Sequence, residues 1–111
     1  MSKSYFAVSA RTAIGLARSG NEDSALTSSS LLAVADGMGG HAAGEVASAL
    51  AVKTIRAQWS ADATQSVADR WLAKGTPEAR KALLGTVTNG VLAAHDAIVA
   101  EAAADSGKKG M

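Results

Sequence analysis

The run Leu31-Leu32-Ala33-Val34-Ala35, closed by Asp36-Gly37-Met38-Gly39-Gly40, constrains the fold of this chain more than any other stretch. An unbroken apolar run of this length reads as a strand covered on both faces, or as a short buried piece of helix. The glycines that follow favour the strand, because three glycines in four positions trace a turn that residues with a Cβ do not easily follow. Asp36 then stands where a buried strand ends, fixed in direction and partly desolvated. An unpaired carboxylate there costs several kcal/mol or is neutralised, so it needs a partner. A divalent cation is one solution, with Gly37 letting a backbone carbonyl reach the same ion. A strand-ending turn, with Asp36 bonded to the amides of its own loop, is the other.

The rest of the chain divides around this segment. Tyr5 to Thr12 alternates partly and predicts a strand, and a short second strand is expected around Ser24 to Leu26. Gly15, Ser19-Gly20-Asn21 and Thr27-Ser28-Ser29-Ser30 are turn signals. From Ala43 the pattern becomes helical. Val46, Leu50, Ile55 and Trp59 share a broad apolar face, with Lys53 and Arg56 turned outward. A second helix is expected from Asp62 to Leu72, with Val67 and Trp71 stacked four apart and Lys74-Gly75 as its stop. Thr76-Pro77-Glu78 reads as a helix start: a hydroxyl cap, a proline at the first position and an acid near the positive end of the dipole. Leu84, Val87, Val91, Ala94 and Ile98 continue that helix until Asp105 to Gly110 breaks it. Strands over about 5–36 followed by helices over about 43–104 predict an α+β layering.

Composition narrows the function. Eleven basic against ten acidic residues leave a net charge of +1, which makes no electrostatic case for nucleic acid. Without cysteine there is no thiolate nucleophile, disulfide or Cys-ligated zinc. With aromatics at 4%, the core must be Ala, Val, Leu and Ile, with Trp59 and Trp71 as large fillers. The N-terminal apolar run is too short for a signal peptide, and no stretch reads as the ~20 apolar residues of a membrane span. A cytoplasmic chain is expected.

A second segment carries chemistry: Gly15-Leu16-Ala17-Arg18-Ser19-Gly20-Asn21-Glu22-Asp23. The Arg18 guanidinium suits two phosphate oxygens, and Glu22 suits a metal-bound water; a solvated turn with a surface ion pair is the plainer reading. His41 suits proton donation to a leaving group, or is simply a loop histidine. Glu45 reads as a first-turn acid, and His95 takes no role. Residues 37–42 also match the dinucleotide fingerprint with its final alanine. That match is weak. Asp36 would face the pyrophosphate, and Lys53, Arg56 and Gln58 stand where ribose recognition wants an acid.

Taken in order, Gly15-x-x-Arg18-x-x-Asn21-Glu22-Asp23, then Val34 to His41, then Gly44-Glu45-Val46-Ala47-Ser48, resemble the start of the type 2C metal-dependent serine/threonine protein phosphatases, the bacterial branch above all. The resemblance covers residues ~5 to 60 and implies a four-layer α-β-β-α sandwich, of which residues 1–111 are the N-terminal portion of a single domain. It implies a two-metal centre for Mn2+ or Mg2+. Asp36 would bridge the metals, Gly37 would offer its carbonyl, Glu22 would bind through water and Asp23 would support the site. Arg18 would hold the substrate phosphate, and His41 would stand at the general acid's place. Phosphoserine and phosphothreonine proteins, with a cognate kinase, would be the partners.

Two departures qualify it. Ala13 stands where the family usually has an acid or other polar residue. The family's domain is also much longer, and its later aspartates complete the metal sites. Here only Asp62, Asp69, Asp96 and Asp105 follow, all on or near expected helices. The chain is therefore expected to be a truncated piece, inactive alone. A degenerate phosphatase-like module binding through an open sheet edge is the alternative, and a dinucleotide-binding fragment the third.

Overall fold

A serine-rich break between two short apolar stretches makes a hairpin. The computed structural model describes residues 10, 11, 13, 21–28, 31–38, 43–105 and 111. In it, β1 (Asp23–Thr27) runs antiparallel to β2 (Leu32–Asp36). Ser28 closes the turn twice over. Its N–H donates to the Leu31 carbonyl at 3.0 Å, and its Oγ accepts from the Leu31 N–H at 2.9 Å. The strand expected over 5–12 lies outside the described residues, except for Ala10 and Arg11, which belong to neither strand nor helix.

The register fixes what each face carries, because residues directly opposite in a ladder share a face. Ser24 with Ala35 and Leu26 with Ala33 make one face; Asp23 with Asp36, Ala25 with Val34 and Thr27 with Leu32 make the other. The first is covered, with Leu26 only 3% exposed. The second is bare, with Val34 80% and Leu32 46% exposed. The expectation of a strand covered on both faces is thus corrected for the described residues. Leu32 and Val34 point outward yet are as apolar as their inward neighbours, so the run hides its alternation.

α1 (Ala43–Trp59) covers the first face. Its buried residues are Ala43, Gly44, Ala47, Ser48 and Val52. Small side chains let the helix backbone approach the strands closely. The larger residues expected to form its core face, Val46, Leu50, Ile55 and Trp59, are only half-buried, while Lys53 and Arg56 are exposed as expected.

α2 (Asp62–Ala73) ends at Lys74, whose N–H donates to the Arg70 carbonyl at 3.0 Å. The Trp71 ring lies over Gly75, 3.4 Å from where a Cβ would stand. α3 (Pro77–Ala104) starts as the sequence predicts: Thr76 Oγ1 accepts from the Ala79 N–H at 3.1 Å, and Pro77 follows the cap. α3 packs along α1 and α2 through Ala79, Gly90 and Ala94. At the crossing, Gln58 Nε2 donates to the Thr86 carbonyl at 3.3 Å, and Gln58 Oε1 lies 2.9 Å from where a Gly90 Cβ would be.

Three expectations for the helices are overturned. Leu84, Val87 and Val91 are exposed rather than core, because the close crossing selects the small-residue face of α3. Trp59 and Trp71 are half-buried; Trp59 lines an apolar cavity of about 160 Å³ with Leu32, Ile55, Val87 and Val91. By length and composition α3 is also apolar enough to cross a membrane, against the expectation that no stretch qualifies. Among the described residues the element order is α+β: a two-stranded antiparallel sheet, then three helices.

Candidate metal and phosphate site

The acidic residues singled out in the sequence meet at one end of the hairpin. The Gly37 N–H donates to the Glu22 carbonyl at 3.0 Å, which extends the ladder one residue past both strands. Glu22–Gly37 is therefore a hydrogen-bonded pair. By the alternation of an antiparallel ladder, Asp23–Asp36 is a non-hydrogen-bonded pair, the kind in which opposite side chains stand closest. Both carboxylates are exposed on the bare face. The partial desolvation expected of Asp36 is thus corrected: its strand is buried on one side only, and Asp36 is on the other. Like charges directly opposite destabilise a pair of strands, so this position favours a cation. The Asp23 N–H is itself held by Asn21 Oδ1 at 3.0 Å.

Behind the aspartates, two glycines interlock. A Cβ on Gly37 would run into the Gly44 carbonyl oxygen and come within 2.6 Å of the Glu22 carbonyl oxygen. A Cβ on Gly44 would stand 2.5 Å from Glu22 Cδ and 2.8 Å from Glu22 Oε2. The end of β2, the residue before β1 and the first turn of α1 thus occupy one another's side-chain space. One hydroxyl pair secures the contact further in. Ser24 Oγ lies 2.9 Å from Ser48 Oγ, and Ser48 Oγ donates to the Glu45 carbonyl at 3.2 Å. That arrangement leaves Ser24 to donate to Ser48.

Of the residues expected to form the site, Asp23 and Asp36 share the bare face, Gly37 pairs with Glu22 at the end of the ladder, and the Glu22 side chain lies on the helix side against Gly44. Arg18 and His41 lie outside the described residues, as do Gly39 and Gly40. Sequence reasoning missed Gly44 and Ser48. A glycine in the first turn of a helix, where most residues serve better, was the available signal for the first. A serine on a face otherwise made of Gly, Ala and Val was the signal for the second. His95 shares a cleft of about 300 Å³ with Asp36, Gly37, Ala47 and Ser48.

The donor type suits a hard divalent cation such as Mg2+ or Mn2+, since carboxylates and a backbone carbonyl are all oxygen ligands. The number falls short of a closed site. Among the described residues no group of three or more His, Asp or Glu gathers to hold a metal. Asp62 and Asp69 lie on α2, Asp96 lies on α3 and Asp105 caps its end. The dinucleotide reading loses its context as well. β2 pairs antiparallel with its neighbour, and the fingerprint belongs to a parallel βαβ unit.

Comparison with known proteins gives a partial match. No family model matches the chain, and no solved structure does. Over 46 residues, 41% of its length, the chain is 59% identical to the serine/threonine protein phosphatase PstP of Mycobacterium tuberculosis, in each of two strains. The chain spans only 9% of the length of those relatives. Along that segment it is similar to a serine/threonine protein phosphatase, the relationship to which the order of its acidic motifs pointed.

Proposed function

We propose that this chain supplies one side of the active centre of a metal-dependent serine/threonine phosphoprotein phosphatase. The observation that carries the reading is the pairing of Asp23 with Asp36 on the bare face, with Glu22 and Gly37 locked beside them. The 46-residue likeness to a serine/threonine protein phosphatase supports it. Asp36 and the Gly37 carbonyl would hold Mn2+ or Mg2+, with Glu22 reaching the metal through water and Asp23 supporting the site. When bound, such cations acidify water and offset phosphate charge. Arg18 orients the phosphate with its planar fork. His41 gives a proton to the departing serine or threonine oxygen. This chemistry needs no protein nucleophile, in keeping with a chain that has no cysteine. The substrates on this reading are phosphoserine and phosphothreonine proteins, and the natural counterpart is the kinase that phosphorylates them.

The test is a graft. The corresponding segment of this chain replaces the matched 46 residues of the mycobacterial phosphatase, and hydrolysis of an aryl phosphate is followed with and without Mn2+. The graft should keep its metal-dependent turnover, and Asp36→Ala in the graft should abolish it. A folded graft without activity, or an active Asp36→Ala variant, would sink the proposal.

A further inference from the structure

We infer that Gly44 is a positioning residue for the Glu22 carboxylate: the space its missing side chain leaves is the space the carboxylate fills. Glu22 Cδ, Oε2 and Cγ lie 2.5, 2.8 and 2.9 Å from where a Gly44 Cβ would stand, closer than Cβ atoms pack. Gly44 is buried in the first turn of α1 and Glu22 is half-buried against it. The contrast with Gly37 gives the inference its edge. A Cβ on Gly37 would meet backbone, the Gly44 and Glu22 carbonyls, which cannot yield without moving the hairpin off the helix. The three atoms nearest a Gly44 Cβ all belong to one flexible side chain, that of Glu22, which swings away at little cost to the fold. The first glycine is required for the junction to form; the second decides where a carboxylate points. A role for that carboxylate in holding a cation rests on the phosphatase reading. The steric pairing does not.

The experiment has two arms on the 111-residue chain. In the first, NMR should record a nuclear Overhauser effect between the Glu22 Hγ protons and the Gly44 Hα protons. Gly44→Ala should lose the close approach while melting no lower than the parent. A missing effect in the parent, or a Gly44→Ala variant that melts well below it, overturns the inference. In the second arm, Mn2+ affinity is measured calorimetrically across a double-mutant cycle. Gly44→Ala should weaken binding about tenfold in the parent, the scale of losses for groups that orient ligands. It should change nothing in a Glu22→Ala background. Equal losses in both backgrounds would assign Gly44 a role independent of Glu22 and overturn the inference. A parent that binds no Mn2+ counts against the metal reading of the function, and the first arm still decides the pairing.

Discussion

The junction of β1, β2 and α1 and the long helix α3 are built on opposite plans. At the junction, glycines let backbone and short polar side chains meet closely. Gly37 and Gly44 nest against each other and Glu22, Ser24 meets Ser48, and the largest buried apolar residue in contact is Leu26. Along α3 the buried face is again small, Ala79, Gly90 and Ala94, but Leu84, Val87, Val91, Leu92 and Val99 stand exposed around it. The junction satisfies its residues locally, and α3 leaves much of its apolar surface in contact with water. The difference teaches where precision is needed. Placing two carboxylates across a ladder takes ångström-level fit, whereas a helix that buttresses α1 needs only a narrow seam.

The comparison breaks most visibly at Gly37. Gly37→Ala puts a Cβ into two carbonyl oxygens and should cost about 3 kcal/mol, the upper range for overpacking. For a chain of this size the thermal midpoint should fall by more than about 10 °C. An unchanged midpoint would mean that the hairpin does not seat on α1 as described. Next is Ser48→Ala. Ser48 is 2% exposed, and its loss leaves Ser24 Oγ without its acceptor, which should cost about 1–2 kcal/mol by urea denaturation. Ser24→Ala/Ser48→Ala together should cost less than the sum of the singles, the mark of a shared bond.

Smaller again is the cap of α3. Thr76→Ala removes the acceptor for the Ala79 N–H and should cost about 1 kcal/mol. Thr76→Ser should recover most of it. This prediction tests α3 alone, since the bond joins two residues of its own first turn.

How much of this could be read beforehand follows the same division. Local signals were legible: Thr76-Pro77-Glu78 gave the start of α3, Lys74-Gly75 the end of α2, and the serine cluster the hairpin turn. The acidic residues of the candidate site stood out too, because Asp36 before glycines and Glu22-Asp23 after a turn are unusual placements. Side-chain partition was not legible. β2 has apolar residues on both faces, so no pattern in Leu31 to Ala35 distinguishes the covered face from the bare one. In α1 and α3 the eye follows Leu, Val and Ile, but burial followed Ala, Gly and Ser. Helix crossings at close range are set by what is absent from a side chain, and hydrophobic periodicity weighs only what is present. Gly44 carries no such signal, although it stands one residue before Glu45 in the motif Gly44-Glu45-Val46-Ala47-Ser48.

The smallest predicted effect is the sharpest on α3. Val91 is exposed, at the rim of the apolar cavity shared with Trp59. In this chain Val91→Gln should change stability by no more than about 0.5 kcal/mol, as surface substitutions do. Burying a valine fully is worth about 1.5–3 kcal/mol, so the same substitution becomes costly wherever something covers that face. The measurement is therefore a comparison of urea midpoints for Val91→Gln in the 111-residue chain and in a second, longer graft, in which this chain through Ala104 replaces the corresponding stretch of the mycobacterial phosphatase. Equal, near-zero effects would mean that α3 presents its apolar stripe to water in both settings. A cost above about 1 kcal/mol in the graft alone would mean that the rest of a phosphatase domain packs there. The exposed stripe would then belong with the junction's small residues, as a surface shaped for a neighbour.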